Sequence, residues 1–286
     1  MQTFERAVLG GLKLDRADLD QSSRHVIDLA RADGGIVVTS NVSISRHLRT
    51  VGLPELEAQT SFWTVDGVPL TWLLRIAGKG PFPRVTGTDL MNAVIEHPAA
   101  ADLRVGIIGA AAVEAQRFYR GSGHAHVHGA DLPFAEPGSP ALIDAASAFI
   151  ERVRPHVLFV CLGFPKQERL ILELRRRHSH GIVFIGAGAA AQMNTGHFPR
   201  APHLMRRLGL EWVWRMGQDP SRLVKRYLLQ DLPWLVGMIP IALAERVRSR
   251  RARPGRRQAP AWPPLASSEI SGVKSAPPPS NVRMPR

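Results

Sequence analysis

The sequence predicts an α/β fold: a Rossmann-like, mainly parallel sheet flanked by helices, continued by a C-terminal helical, membrane-proximal appendage and a basic tail. Three observations predict it. Four short apolar runs, Ile36–Thr39, Val105–Ile108, Val157–Val160 and Ile182–Ile185, read as buried parallel strands. Helical stretches lie between and around them at Asp18–Arg31, Ala110–Arg120, Pro140–Val153 and Gln167–His178, and strands alternating with helices build a parallel sheet. Each strand also runs straight into a polar or Gly-rich turn: Thr39-Ser40-Asn41, Gly109, Gly163-Phe164-Pro165 and Gly186-Ala187-Gly188. Ligands of open parallel sheets bind outside the carboxyl ends of the strands, so these turns converge on one crevice.

Residues 1–200 are expected to form the α/β domain, 201–245 the appendage and 246–286 an Arg/Pro-rich tail that is disordered when isolated. Leu232–Leu243 is apolar but only twelve residues long, and Pro233 and Pro240 interrupt it. It reads as an interfacial segment or a short helix packed on the body, not as a transmembrane span. There are no internal repeats.

At 286 residues and 44% hydrophobic content the chain can bury a sizeable core. The single Cys161 excludes an intramolecular disulfide, and its apolar surroundings mark it as a buried small hydrophobe. Met1–Gly11 lacks the basic and apolar regions of a signal peptide, so a cytoplasmic protein is expected. The formal charge of +13 sits mostly in the tail: from Arg246 onward ten Lys/Arg face one acid, which is +9 and leaves +4 for the first 245 residues. Such a tail suits a phosphate backbone or an anionic leaflet equally well.

Several residues could carry chemistry. Asp66 stands before Gly67 and Pro69 in a turn that can present a carboxylate at a cleft rim as a general base; its bland reading is an Asx-turn cap. Thr39 and Asn41 end a strand and could bond ligand hydroxyls, or simply cap the helix that starts near Ser43. Gln167 follows Pro165 at a helix start, which explains Glu168 through the helix dipole but leaves Gln167 without a structural reason. Gly186 and Gly188 would let backbone approach a ligand, with tight helix–strand packing as the alternative. Further on, Arg215, Arg222 and Arg226 would lie within roughly 40° of one another on a continuous helix, a stripe of planar forks suited to phosphate oxygens. Gly217 and Pro220 threaten that helix, and a solvated face pairing with Glu211 and Asp219 is the competing account. His124, His126 and His128 would share one face of a strand, but no carboxylate completes a metal set, and no metal is expected.

Six blocks, in order, resemble the WecG/TagA/CpsF family of bacterial glycosyltransferases (glycosyltransferase family 26). They are Thr39-Ser40-Asn41, Asp66-Gly67-Val68-Pro69, Gly87-Thr88-Asp89-Leu90, Gly163 to Glu168, Gly186 to Ala190 with Gly196 and Arg200-Ala201-Pro202, and the string Arg200 to Tyr227. Together they span roughly residues 8 to 230. The resemblance implies an inverting, metal-independent and cofactor-free transfer from a UDP-sugar to a saccharide on polyprenyl diphosphate, in exopolysaccharide or cell-surface glycan assembly. The donated sugar would be of the N-acetylmannosamine type, a uronic acid or a hexose. Asp66 matches the family's proposed catalytic residue. The matched blocks make Thr39, Asn41, Asp89, Gln167, Gly186, Gly188 and Arg200 donor- or substrate-binding, and Arg215, Arg222 and Arg226 diphosphate-binding in place of a cation. The enzyme would sit peripherally on the cytoplasmic face of the plasma membrane. Ala191-Gln192 stands where the family usually shows Phe-Asp, which bears on the donor sugar.

Two other functions compete. A nicotinamide-dependent oxidoreductase needs Gly-x-Gly-x-x-Gly after the first strand, where this chain has Thr39-Ser40-Asn41. Nucleic-acid binding through the tail would leave the motifs of the body without a purpose, so nucleic acid is not an expected partner.

Overall fold

The computed structural model describes residues 3–178, 181–197, 199, 201–202, 204–205, 211–218 and 220–252. A hairpin opens the chain, β1 (Glu5–Leu9) and β2 (Leu12–Arg16), turning through Gly10 and Gly11 at φ +54° and +89°. Two consecutive positive φ values suit a tight hairpin turn, and glycine reaches them without strain. Helix α1 (Leu19–Arg31) follows. Its cap is reciprocal: Gln21 N–H donates to the Asp18 carboxylate at 2.8 Å and Asp18 N–H donates to Gln21 Oε1 at 3.0 Å. The chain's one literal Asp-x-Asp, Asp18-Leu19-Asp20, is therefore a helix start, with Asp20 paired to Arg24 at 3.1 Å.

The main sheet has six parallel strands in the order β4-β3-β8-β7-β5-β6. They are β3 (Gly35–Ser40), β4 (Thr60–Val65), β5 (Val105–Gly109), β6 (Val127–Ala130), β7 (Val157–Cys161) and β8 (Val183–Gly186). Alternate residues of each strand point to opposite faces. Val37, Val157, Phe159, Val183 and Ile185 join one core with α1, α5 (Gly87–Ile95), α6 (Ala112–Gly121) and α9 (Ala190–Asn194). Ile36, Val38, Leu158, Val160 and Phe184 join the other with α2 (Val42–Thr50), α3 (Pro54–Gln59), α7 (Pro140–Val153) and α8 (Lys166–Arg177). Cys161 is buried in the first core, and burial pushes its thiol up to about 12, leaving no nucleophile there at neutral pH.

A third core joins the hairpin to α4 (Val68–Ile76) and the C-terminal helix Leu232–Ala252, through Leu9, Leu14, Leu70, Leu74, Met238 and Ala242. This helix corrects the twelve-residue reading. Among the described residues, one stretch, Lys225–Ser249, is long and apolar enough to cross a membrane by length and composition. Pro240 lies inside it. Lys225–Asp231 is wound as a π-helix directly ahead of Pro233, which widens the turn that the proline ring would otherwise strike. The prolines therefore do not end the helix. Both are exposed, and the helix docks through Met238 and Ala242 instead.

Candidate active site

Asp66 is the first residue beyond β4, and its N–H donates to Ser40 O at 2.7 Å, extending the pairing with β3. Gly67 then turns at φ +133°, a backbone state for which glycine is required, and Val68-Pro69 begins α4. After α4 the chain returns beside β4: Val85 N–H donates to Val65 O at 2.9 Å and Thr64 Oγ1 to Val85 O at 3.2 Å. That return sets Arg84 next to Asp66. Both line a cavity of about 260 Å³ between the α/β body and the C-terminal helices, together with Asn41, Glu211, Arg215 and Arg226.

The charged groups form one connected line. Arg84 Nη2 lies 3.9 Å from Asp66 Oδ1 and 2.6 Å from Glu211 Oε2. Arg215 Nη2 lies 2.7 Å from Glu211 Oε1, one helical turn away in the helix Glu211–Gln218. Asp66 is pushed up to about 6, because burial disfavours its charge more than Arg84 and Arg215 favour it; Glu211 and Asp89 add to the rise. Its side chain still keeps 24% of its surface exposed. Burial also works against Glu211, but Arg215 and Arg84 win there and hold it below the usual carboxylate range. Arg226 sits against the Tyr227 ring, with its guanidinium 4.7 Å from the ring centre and 4.0 Å from Asp231. The Nε atoms of Arg84, Arg215 and Arg226 are all buried with no hydrogen-bond partner among the described residues. Buried donors are seldom left so.

Of the expected site residues, Asp66, Asn41, Arg215 and Arg226 therefore share one cavity. Arg215 also makes the Glu211 pair that the competing account expected. Arg200 lies outside the described residues, as do Asp219 and the side chain of Arg222. Asn41 caps α2 by accepting from Ile44 N–H at 3.0 Å, and it also lines the cavity. Thr39 is buried and donates to Gly186 O at 3.0 Å. Asp89 lies in the first turn of α5, where its N–H donates to Thr86 Oγ1 at 3.0 Å and its carboxylate accepts from that hydroxyl at 2.8 Å.

Gln167 is 3% exposed and turned inward, its Oε1 accepting from Gly188 N–H at 2.9 Å. Gly186 is a glycine for this reason: a Cβ there would stand 2.6 Å from Gln167 Nε2. Gly188 differs, since its φ is +58° and a Cβ would meet nothing within 4 Å. The histidine alternation does not form on one strand face. β6 begins only at Val127, and His128 meets the cationic Arg120 at 3.1 Å.

Arg84 is the site residue that the sequence reading missed. It sits in the irregular stretch Phe82-Pro83-Arg84, where no periodicity marks it, and only the return of the chain beside β4 brings it to Asp66.

A protein-family model for the glycosyl transferase WecG/TagA/CpsF family matches residues 7–252, and the chain belongs to that family. Its role is glycosyl transfer in cell-surface glycan synthesis.

Proposed function

We propose that this glycosyltransferase moves a sugar from a UDP donor to a saccharide on polyprenyl diphosphate, with inversion and with Asp66 as the base. The observation that carries the reading is the Asp66 carboxyl at the rim of a cavity edged by three arginines with unpartnered Nε atoms. The acceptor hydroxyl would attack the anomeric carbon of the donor while the bond from that carbon to the β-phosphate oxygen breaks. UDP departs with that electron pair, and the acceptor proton passes to Asp66. A carboxylate near 6 is ionised at neutral pH yet more basic than a solvated aspartate, which suits this transfer. Arg84, Arg215 and Arg226 meet the charge that grows on the leaving diphosphate. The diphosphate competes with Glu211 for two of these forks, so Glu211 keeps them aligned before it arrives.

The C-terminal helix supports a seat on the cytoplasmic leaflet. Asp231 bonds Arg46 at 3.0 Å and Glu245 accepts from Gly10 N–H at 2.7 Å, tying the helix to the body at both ends. On its other side Val236, Ile239, Leu243 and Val247 are exposed, and at 100° per residue they fall within about 80° of one another. A docked helix with an apolar outer stripe, followed by arginines, suits insertion into a membrane surface rather than passage through it. Transfer of label from radiolabelled UDP-sugars to a synthetic prenyl-diphosphate acceptor, with anionic vesicles present, tests the proposal. No turnover across a donor panel by folded protein would overturn it.

A further inference from the structure

Glu168 is a buried acid with no part in the chemistry above. It is 2% exposed in the first turn of α8, and its Oε2 has no hydrogen-bond partner among the described residues. Its Oε1 accepts from Gln167 Nε2 at 2.7 Å. Gln167 Oε1 in turn accepts from Gly188 N–H at 2.9 Å, and Thr39 holds Gly186 O from the neighbouring strand. Gly186–Gly188 is thus fixed from both sides. An amide side chain can flip, and the flipped Gln167 would set its NH2 against the Gly188 N–H, donor against donor. The acceptor at Glu168 Oε1 forbids that flip.

The strand order β4-β3-β8-β7 sets this turn two strands along the carboxyl edge from Asp66, about 10 Å away at the usual strand spacing. Gly188 presents open space there.

We propose that Glu168 is a positioning residue for the donor: it fixes the sense of the Gln167 amide and so holds the Gly186–Gly188 turn that walls the donor end of the crevice. The donor half of this statement rests on the UDP reading above; the turn half does not. Burial raises Glu168 to about 7 against the hydrogen bonds from Gln167 and its own N–H, so below that pH it acts as a neutral acceptor.

The test compares wild type with Glu168→Gln, Glu168→Met and Gln167→Leu, reading the exchange rate of the Gly188 amide proton without ligand and the Kd for UDP alongside. Glu168→Gln restores the acceptor and should match wild type on both counts. Glu168→Met keeps the bulk but removes the acceptor, and should speed exchange and weaken UDP binding, each roughly three- to tenfold. Combining it with Gln167→Leu should add nothing further, since Glu168 acts through Gln167. A Glu168→Met protein with wild-type exchange overturns the proposal. Should that variant not fold, the Gln167 side-chain NH2 resonance in wild type decides: slow exchange supports the bond to Glu168, and solvent-like exchange overturns it. If wild type fails to bind UDP while these exchange rates come out as stated, the donor reading is what falls, and Glu168 remains the residue that sets the turn.

Discussion

Arg84 reaches two carboxylates with one nitrogen: its Nη2 is 2.6 Å from Glu211 and 3.9 Å from Asp66. The closer partner belongs to the C-terminal helices and the farther one to the end of β4. Arg84 therefore couples the position of the appendage to the charge on Asp66. With the C-terminal helices in place, Glu211 takes the shorter contact and Asp66 is left only partly compensated, which is how burial prevails and its pKa rises.

Asp66 should set the acid limb of the rate profile. As the base it must be ionised, so kcat/KM should climb as pH rises through about 6 and level off above. Asp66→Asn should lower turnover roughly 10² to 10⁴-fold with UDP binding kept. Because burial raises the folded-state pKa, the ionised group opposes folding above that pH. The Asn variant should accordingly show a higher Tm than wild type at pH 8. Arg84→Met removes the first influence that favours the charge, so its acid limb should move to higher pH. Steady-state rates from pH 5 to 9 check all of this, and an unmoved limb in Arg84→Met would mean that Asp66 is not the group observed.

Arg226 faces a sharper test because the structure sets it against Tyr227 and Asp231. Arg226→Lys keeps the charge but loses the planar fork, and so does Arg222→Lys. If the forks grip diphosphate, both should raise KM or lower kcat clearly at fixed ionic strength. The contact of Arg226 with the buried Asp231 is long, at 4.0 Å, and lysine keeps the charge that faces it. The two variants should therefore melt within a few degrees of wild type. Unchanged kinetics in both would leave the stripe as a solvated face.

The same sequence was legible in some places and closed in others for physical reasons. The four strands read from it, β3, β5, β7 and β8, are the four interior strands of the sheet, where both faces are buried and the code is an unbroken apolar run. The two missed are the edges. β4 begins Thr60-Ser61, and β6 is Val127-His128-Gly129-Ala130, too polar and too short to stand out. The hairpin had a signal in Gly10-Gly11 between alternating residues, but two short strands alone carry little weight. Asp66 was visible because its turn chemistry is local. Arg84 was not, because its role arises from the return of the chain beside β4. Gln167 was singled out for donor recognition, and its hydrogen bonds run inward to Gly188 and Glu168.

Glu168 predicts a pH dependence of stability separate from activity. Its pKa is raised in the folded state, from 4.5 to about 7, so its contribution is intact below about 4.5 and is lost as pH rises through about 7. Glu168→Gln cannot ionise. Relative to wild type it should gain stability across that window, reaching on the order of 3 kcal/mol at pH 8. Denaturant unfolding of both proteins from pH 4 to 8.5 measures the difference. Parallel curves would show that Glu168 ionises as freely in the folded state as in the unfolded one.

The C-terminal helix lets membrane binding be separated from folding. Truncation after Asp231 would remove Met238 and Ala242 from the third core and Glu245 from Gly10, so lost flotation would be ambiguous. The outer stripe avoids this. Val236 and Leu243 are 56% and 48% exposed, so Val236→Asp with Leu243→Asp should leave the Tm within a few degrees of wild type. Each aspartate adds a charge that a membrane interior rejects and that anionic lipid repels. Flotation with anionic liposomes should therefore fall sharply, and transfer to a vesicle-bound acceptor should fall with it. Transfer to a short-chain acceptor in detergent should be kept, because the Asp66 cavity lies on the inner side of the helix. Undiminished flotation of the double variant would mean that the basic residues alone hold the protein at the membrane, in which case raising the salt should release it.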